Sequence, residues 1–217
     1  MKNRLNILCL LVMLVLGYSV IQSAYLYGSG FVTGIKAGEE MRKTNPAILN
    51  QMMHLKVVNL APTSPNIFTD SVYNEKSGSY VPVIYSELGV SVKTELEKLQ
   101  LVANSLLQIL NTIIIVTIVV MLVKLLISIN KSNIFNWKNV SRLRWVGVLL
   151  IISFCCNAIP QYLSNYMTAG AFSLEGYEVH IFGAVSLINL VLGFVGLIVG
   201  EVFAIGLRMQ EEQELTI

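Results

Sequence analysis

The chain has 217 residues, of which 54% are hydrophobic and only 13% charged, against about 25% charged in an ordinary soluble domain. That balance excludes a typical water-soluble globule, and a net charge of +2 provides no global field for nucleic acid. The three cysteines, Cys9, Cys155 and Cys156, all fall in apolar runs, which argues against both a disulfide framework and a zinc site.

A membrane span needs about 20 mostly apolar residues. In chain order the first candidate is residues 5–28, "LNILCLLVMLVLGYSVIQSAYLYG". Lys2 and Arg4 also give it the basic start of a signal peptide, but its apolar region exceeds the roughly 7–15 residues of a signal core, and Gln22 occupies a position where a small residue is expected before a cut. Residues 29–100 follow, with seven Lys/Arg and seven Asp/Glu. Gly30, Gly34 and Gly38 there recur every four residues, giving either one small helix face open to close approach or a flexible exit from the membrane. Asn45-Pro46 breaks any helix. "MHLKVVNLAP" reads as extended, and "SVYNEKSGSYVPVIY" as a hairpin turning at "NEKSG". His54 reads as a surface or packing residue, and "TELE" at Thr94 to Glu97 has capping-box spacing. The expected product is a small mixed domain capping the bundle.

The second span is residues 101–129, the third 145–167 and the fourth 181–207, with a basic loop at 130–144, a loop at 168–180 and an acidic tail at 208–217. Lys2, Arg4, Lys124, Lys131, Lys138, Arg142, Arg144 and Arg208 all lie on one side, whereas 168–180 has only Glu175 and Glu178. The distribution of positive charge therefore puts both termini in the cytoplasm of a multi-pass inner-membrane protein. The expected fold class is an all-α membrane protein, a four-transmembrane-helix bundle with a small mixed α/β extracytoplasmic insertion between helices 1 and 2.

Polar residues inside spans are functional candidates. Asn104, Gln108 and Asn111 share one face of the second span, and Asn157, Gln161 and Asn165 recur along the third, with Pro160 among them. They either line a wet pocket or form interhelical hydrogen bonds. Gly193, Gly196 and Gly200 predict close packing of the fourth span, within the chain or in a homo-oligomer. Glu201 lies toward the loop side of that span, at a depth comparable to Lys124, and the two are expected to pair as an intramembrane ion pair.

Asn136 is placed to cap a helix beginning at Trp137. If the fourth span stays helical into its tail, Glu211, Glu212 and Glu214 sit at a C-terminal end that disfavours anions. The expected remedy is a tail folded back on the basic loop, or competing with a partner for it; the plain alternative is a loop that is basic only to set topology and a tail that is a solvated end.

The segments "NIFNWKNVSRLRWVG" and "EVFAIGLRMQEEQELTI" resemble the bacterial four-span membrane family known as domain of unknown function 2975 (DUF2975). Its loop pattern falls on Asn133, Phe135, Asn139, Leu143 and Arg144, with one extra residue before the Leu. Its tail pattern falls on Phe203, Gly206, Glu212, Leu215, Thr216 and Ile217. The resemblance covers spans two to four well and the outer segment poorly. It implies no established activity and a context shared with small helix-turn-helix regulators. Partner docking is therefore expected on Asn139, Arg142, Arg144, Glu212, Leu215, Thr216 and Ile217.

The resulting expectation is a non-enzymatic sensor or regulatory subunit. It has no cofactor, no metal and no direct nucleic-acid binding. Its surroundings are the lipid bilayer, and its partner is a cytoplasmic regulator. A small transporter or a membrane immunity protein using the polar pocket is the alternative. Neither paired membrane acids nor a nucleophile with a base argue for an enzyme.

Overall fold

The computed structural model describes residues 2–45, 48, 51–52, 54–64, 70–93, 97–131, 135–181 and 186–215. In chain order these form α1 (Lys2–Thr44), β1 (Leu55–Pro62), β2 (Asp70–Asn74), β3 (Ser79–Val83), β4 (Glu87–Ser91), α2 (Glu97–Asn130), α3 (Trp137–Ala169), β5 (Tyr177–Val179) and α4 (Ile188–Leu215). The protein is thus mostly helical, with a small sheet region between its first two long helices. All four helices are long and apolar enough to cross a membrane. The chain divides into two compact units. One comprises Met1–Ile35, Ser105–Asn157 and Ser186–Ile217; the other comprises Lys36–Asn104 and Ala158–Val185.

In the second unit β1 is the central strand of a three-stranded antiparallel sheet, β4-β1-β5. Leu55 to Asn59 pair with Ser91 back to Glu87, and Leu60 to Pro62 pair with Val179 back to Tyr177. Alternation along β1 buries Val58 and Leu60, which pack with Val90 and Tyr177 beneath a rim that includes Leu88, Phe172 and Leu174. The hairpin β2–β3 is a separate two-stranded sheet. Its turn falls where the polar "NEKSG" stretch predicts it. Asn74 Oδ1 accepts from the Lys76 amide (3.0 Å), and Gly78 supplies the left-handed residue at φ 64°. Tyr85 ties this unit together. Its amide donates to the Tyr177 hydroxyl (3.3 Å). Desolvation, then the Asp70 carboxylate, holds its own hydroxyl above the ordinary tyrosine range.

The sequence reading missed β5. The loop at 168–180 reads as a bare connection, but Gly176 turns at φ 79° and brings Tyr177–Val179 onto the edge of β1. His180 then donates its amide to Asn59 O (2.8 Å). A second departure is the start of the fourth helix, at Ile188 and not at residue 181 as expected. Ser186 Oγ lies 3.5 Å from the Ile188 amide at that start. At its other end α4 runs through the supposed tail to Leu215. The helix α1 continues past residue 28, through Gly30, Gly34 and Gly38, to Thr44. A Cβ on any of those three glycines would meet nothing within 4 Å, so no described residue uses that small face. Pro46 and most of the "TELE" cap lie outside the described residues.

In the first unit α1 exposes apolar side chains on all sides, among them Val15, Tyr18, Ile21 and Phe31, which suits a hydrocarbon surround. Between α2 and α3 the core is Ile114, Ile118 and Val146, with Met121, Leu149 and Leu150 around it. Between α3 and α4 the backbones themselves approach. A Cβ on Gly147 would sit 2.7 Å from Gly193 O and 2.9 Å from the Leu197 amide nitrogen; one on Gly193 would sit 2.6 Å from Ile151 Cγ1. Gly196 and Gly200 are nearly as tight against Gly147 and Arg144. The glycine motif of the fourth span therefore packs within the chain, and Gly147 is its unpredicted counterpart on the third.

Replacing Gly147 or Gly193 with valine forces the two helices apart. We expect a loss of at least about 2 kcal/mol, seen as a lower unfolding midpoint in detergent. Gly28→Ala, which meets nothing within 4 Å, should leave that midpoint unchanged or raise it.

Candidate functional site

Several loop and tail residues singled out by sequence meet at one end of the first unit, where the start of α3 lies against the end of α4. Asn136 makes the start of α3. Its Oδ1 accepts from the Lys138 amide (3.0 Å), and its carbonyl accepts from the Asn139 and Val140 amides (2.9 and 3.2 Å). The helix begins at Trp137, where this cap places it.

From that start the loop-side turns of α3 run along α4. Val140, 1% exposed, packs with Ala204 and Leu207, with Phe203 beside them. The Phe135 ring stands 5.8 Å from that of Phe203 and lies close over Gly206, where a Cβ would be 3.3 Å from Phe135 Cε1 and the ring would have to shift slightly. Trp137 Nε1–H donates to Glu211 Oε1 (2.8 Å). The tail thus meets the loop as a continuous helix, with no reversal of the chain. Beyond Glu211 the helix stays exposed. Gln210 Nε2 donates to Glu214 Oε1 (3.2 Å), and Leu215 is 88% exposed.

Glu201 does form an ion pair, but with a different cation from the one expected. Arg144 Nη2 donates to Glu201 Oε2 (2.9 Å), and its Nε stands 2.8 Å from Oε1 without the alignment of a second hydrogen bond. Lys124 instead contributes its backbone carbonyl, which accepts from Arg142 Nη1 (3.3 Å). The reason is register. The glycine approach sets Gly200 against Arg144, so the next residue of α4 finds the arginine and not a side chain of α2.

Asn139 is also placed differently from a docking residue. It is 1% exposed. Its Nδ2 donates to Ser128 Oγ (3.0 Å), and its Oδ1 accepts from Arg142 Nη1 (3.0 Å). Together with the Lys124 carbonyl it sews the end of α2 to the start of α3. Of the seven expected docking residues, Arg142 and Arg144 are half-buried in intramolecular bonds, and Glu212 and Leu215 are exposed on α4. Thr216 and Ile217 lie outside the described residues, as does Asn133.

The intramembrane polar residues do not act as one set. In the first unit Ser153, which sequence reasoning passed over, donates to Asn111 Oδ1 (2.7 Å). Asn111 Nδ2 donates to Asn157 Oδ1 (3.4 Å), and Asn157 Nδ2 donates back to Ser153 O (2.7 Å). This closed ring links α2 to α3. Gln108 is exposed on the outside of α2, where its carbonyl accepts from Thr112 Oγ1 (2.9 Å). In the second unit the buried Asn165 donates to Ile181 O (3.0 Å), while Asn104 and Gln161 are half-buried. Among the described residues no group of three or more His, Cys, Asp or Glu is placed to hold a metal ion.

Residues 66–217 match the family model described as Protein of unknown function (DUF2975). No curated protein and no solved structure matches the chain.

Two measurements check these pairings. In double-mutant cycles on unfolding, Arg144→Met with Glu201→Gln should return a coupling of up to about 1 kcal/mol, the range for a partly solvated pair. Lys124→Met with Glu201→Gln should return none. Asn139→Ala, which removes two hydrogen bonds from a buried site, should cost about 2 to 3 kcal/mol.

Proposed function

This chain belongs to the family of unknown function DUF2975, and from that premise we propose that it is a multi-pass membrane protein acting as a non-enzymatic regulatory or sensory subunit. The long apolar helices and their exposed apolar surfaces support the membrane assignment. The basic residues of the loop and of the first residues support cytoplasmic termini in an inner membrane. One observation carries the regulatory reading. The loop and tail segments that define the resemblance lie together, through Phe135 on Phe203, Val140 on Ala204 and Leu207, and Trp137 on Glu211. They form one continuous ledge on the cytoplasmic side. The buried part of that ledge holds the helices, and its exposed edge is acidic and ends apolar, at Glu212, Glu214 and Leu215. That edge suits a cationic cytoplasmic protein with a small apolar notch, and a helix-turn-helix regulator is the candidate the resemblance offers. The closed Asn111–Ser153–Asn157 ring favours this reading over transport, because its polar groups bond to one another.

Co-purification from native membranes tests the proposal, comparing the intact chain with one ending at Gln210. Both should insert. A cytoplasmic protein captured by the intact chain and lost with the truncated one is the expected result. Equal capture by both would remove the tail as the docking site. Trp137→Phe, which breaks the bond to Glu211 and leaves residues 211–217 in place, should reduce capture less than the truncation does.

A further inference from the structure

Part of the ledge, including Ser141, Trp145 and Val148, is exposed beside the seam with α4. The first three turns of α3 carry an open groove of about 410 Å³ lined by Trp137, Val140, Ser141, Arg144, Trp145 and Val148. That volume is in the range that holds a small ligand. Its walls are two indoles eight residues apart, about 12 Å along a helix, and they remain 42% and 54% exposed. The residues that bind α2, namely Asn139, Arg142, Val146 and Ser153, lie on the opposite side of α3 by helical periodicity. The groove therefore faces away from α2.

We propose that this groove binds one acidic phospholipid, its phosphate between Trp137 and Trp145 and its chains running toward Val148. The inference rests on the membrane-spanning reading above. Three observations carry it. The first is charge. Lys138 precedes Ser141 by three residues and so neighbours it on the helix surface. The pair with Glu201 takes the Nη2 and Nε side of Arg144 and leaves Nη1 for a second anion. Arginine and lysine at this level of a membrane helix recognise phosphate headgroups. The second is the order of chemistry along the groove. From the start of α3 inward it runs indole, valine, hydroxyl, guanidinium, indole, then valine, which sets the groups suited to a phosphate between apolar walls and ends on an apolar residue for the chains. The third is the pair of tryptophans, which suit the headgroup layer.

The chain contains only two tryptophans, and both line the groove, so their fluorescence reports on it. The full-length protein would be placed in phosphatidylcholine nanodiscs doped at equal mole fraction with either brominated phosphatidylglycerol or brominated phosphatidylcholine. Brominated phosphatidylglycerol should quench more strongly, by an apparent preference of about fivefold, the scale of one cation at a bilayer surface. Ser141→Leu fills the groove without changing charge and should abolish that excess. Lys131→Gln removes a cation outside the groove and should leave it. Circular dichroism and a single elution peak show that each variant is folded. Equal quenching by the two lipids would overturn the proposal, making the groove a site for bulk lipid. An excess that survives Ser141→Leu would overturn it too, leaving only diffuse attraction to the basic loop. Quenching by neither lipid would place a protein surface or a second copy over the groove. None of these outcomes depends on whether the tail captures a partner.

Discussion

The approach of α3 and α4 at their glycines is the constraint from which the rest of the first unit follows. With Gly147 against Gly193 and Gly196, no side chain separates the two backbones, and the helices have one register to within a residue. Each step toward the loop is then paired in turn. Arg144 meets Gly200 and Glu201, Val140 meets Ala204 and Leu207, and Trp137 meets Glu211. Sliding α4 by one residue would turn every one of these contacts off the seam, because successive helical residues are about 100° apart. The ion pair and the indole bond are therefore consequences of the seam more than causes of it. An exposed pair contributes little by itself, while the shape of the glycine face leaves few alternatives.

What could be read beforehand divides by the range of the interaction. The four long helices, the cap at Asn136, the hairpin turn at Gly78 and the extended stretch at Leu55–Pro62 are local. Each depends on residues within a few positions of one another, and each was legible. The strand at Tyr177–Val179 was not, because three residues carry no period of their own and become a strand only when β1 lies beside them. The partner of Glu201 was misread for a related reason. Depth along a helix can be counted from sequence, but azimuth relative to a neighbouring helix cannot, and Arg144 won over Lys124 on azimuth. The polar residues of the spans were visible as a class. Their division into a closed ring at Asn111, Ser153 and Asn157 and a separate bond from Asn165 to the Ile181 carbonyl depended on which neighbour each one met.

Buried polar groups in this protein mostly hold backbone and helices in place. Asn139, Asn111, Ser153 and Asn165 each find partners across elements, and each would leave a costly vacancy if replaced by an apolar residue of a different shape. A motif asparagine such as Asn139 can thus mark a family through packing alone. The surface it supports has Trp137, Ser141 and Lys138 on one side and the acidic end of α4 on the other.

The sheet of the second unit also has a history. Its central strand is complete on one side as soon as β4 has been made. Its other neighbour, Tyr177–Val179, arrives more than a hundred positions later, after both α2 and α3 have been synthesised. During translation β1 therefore presents an open edge until two further helices have emerged. The burial of Tyr177 against Val58 and Leu60 is then a late closing step, and a chain stalled before it would leave that apolar edge for any other extended segment to pair with.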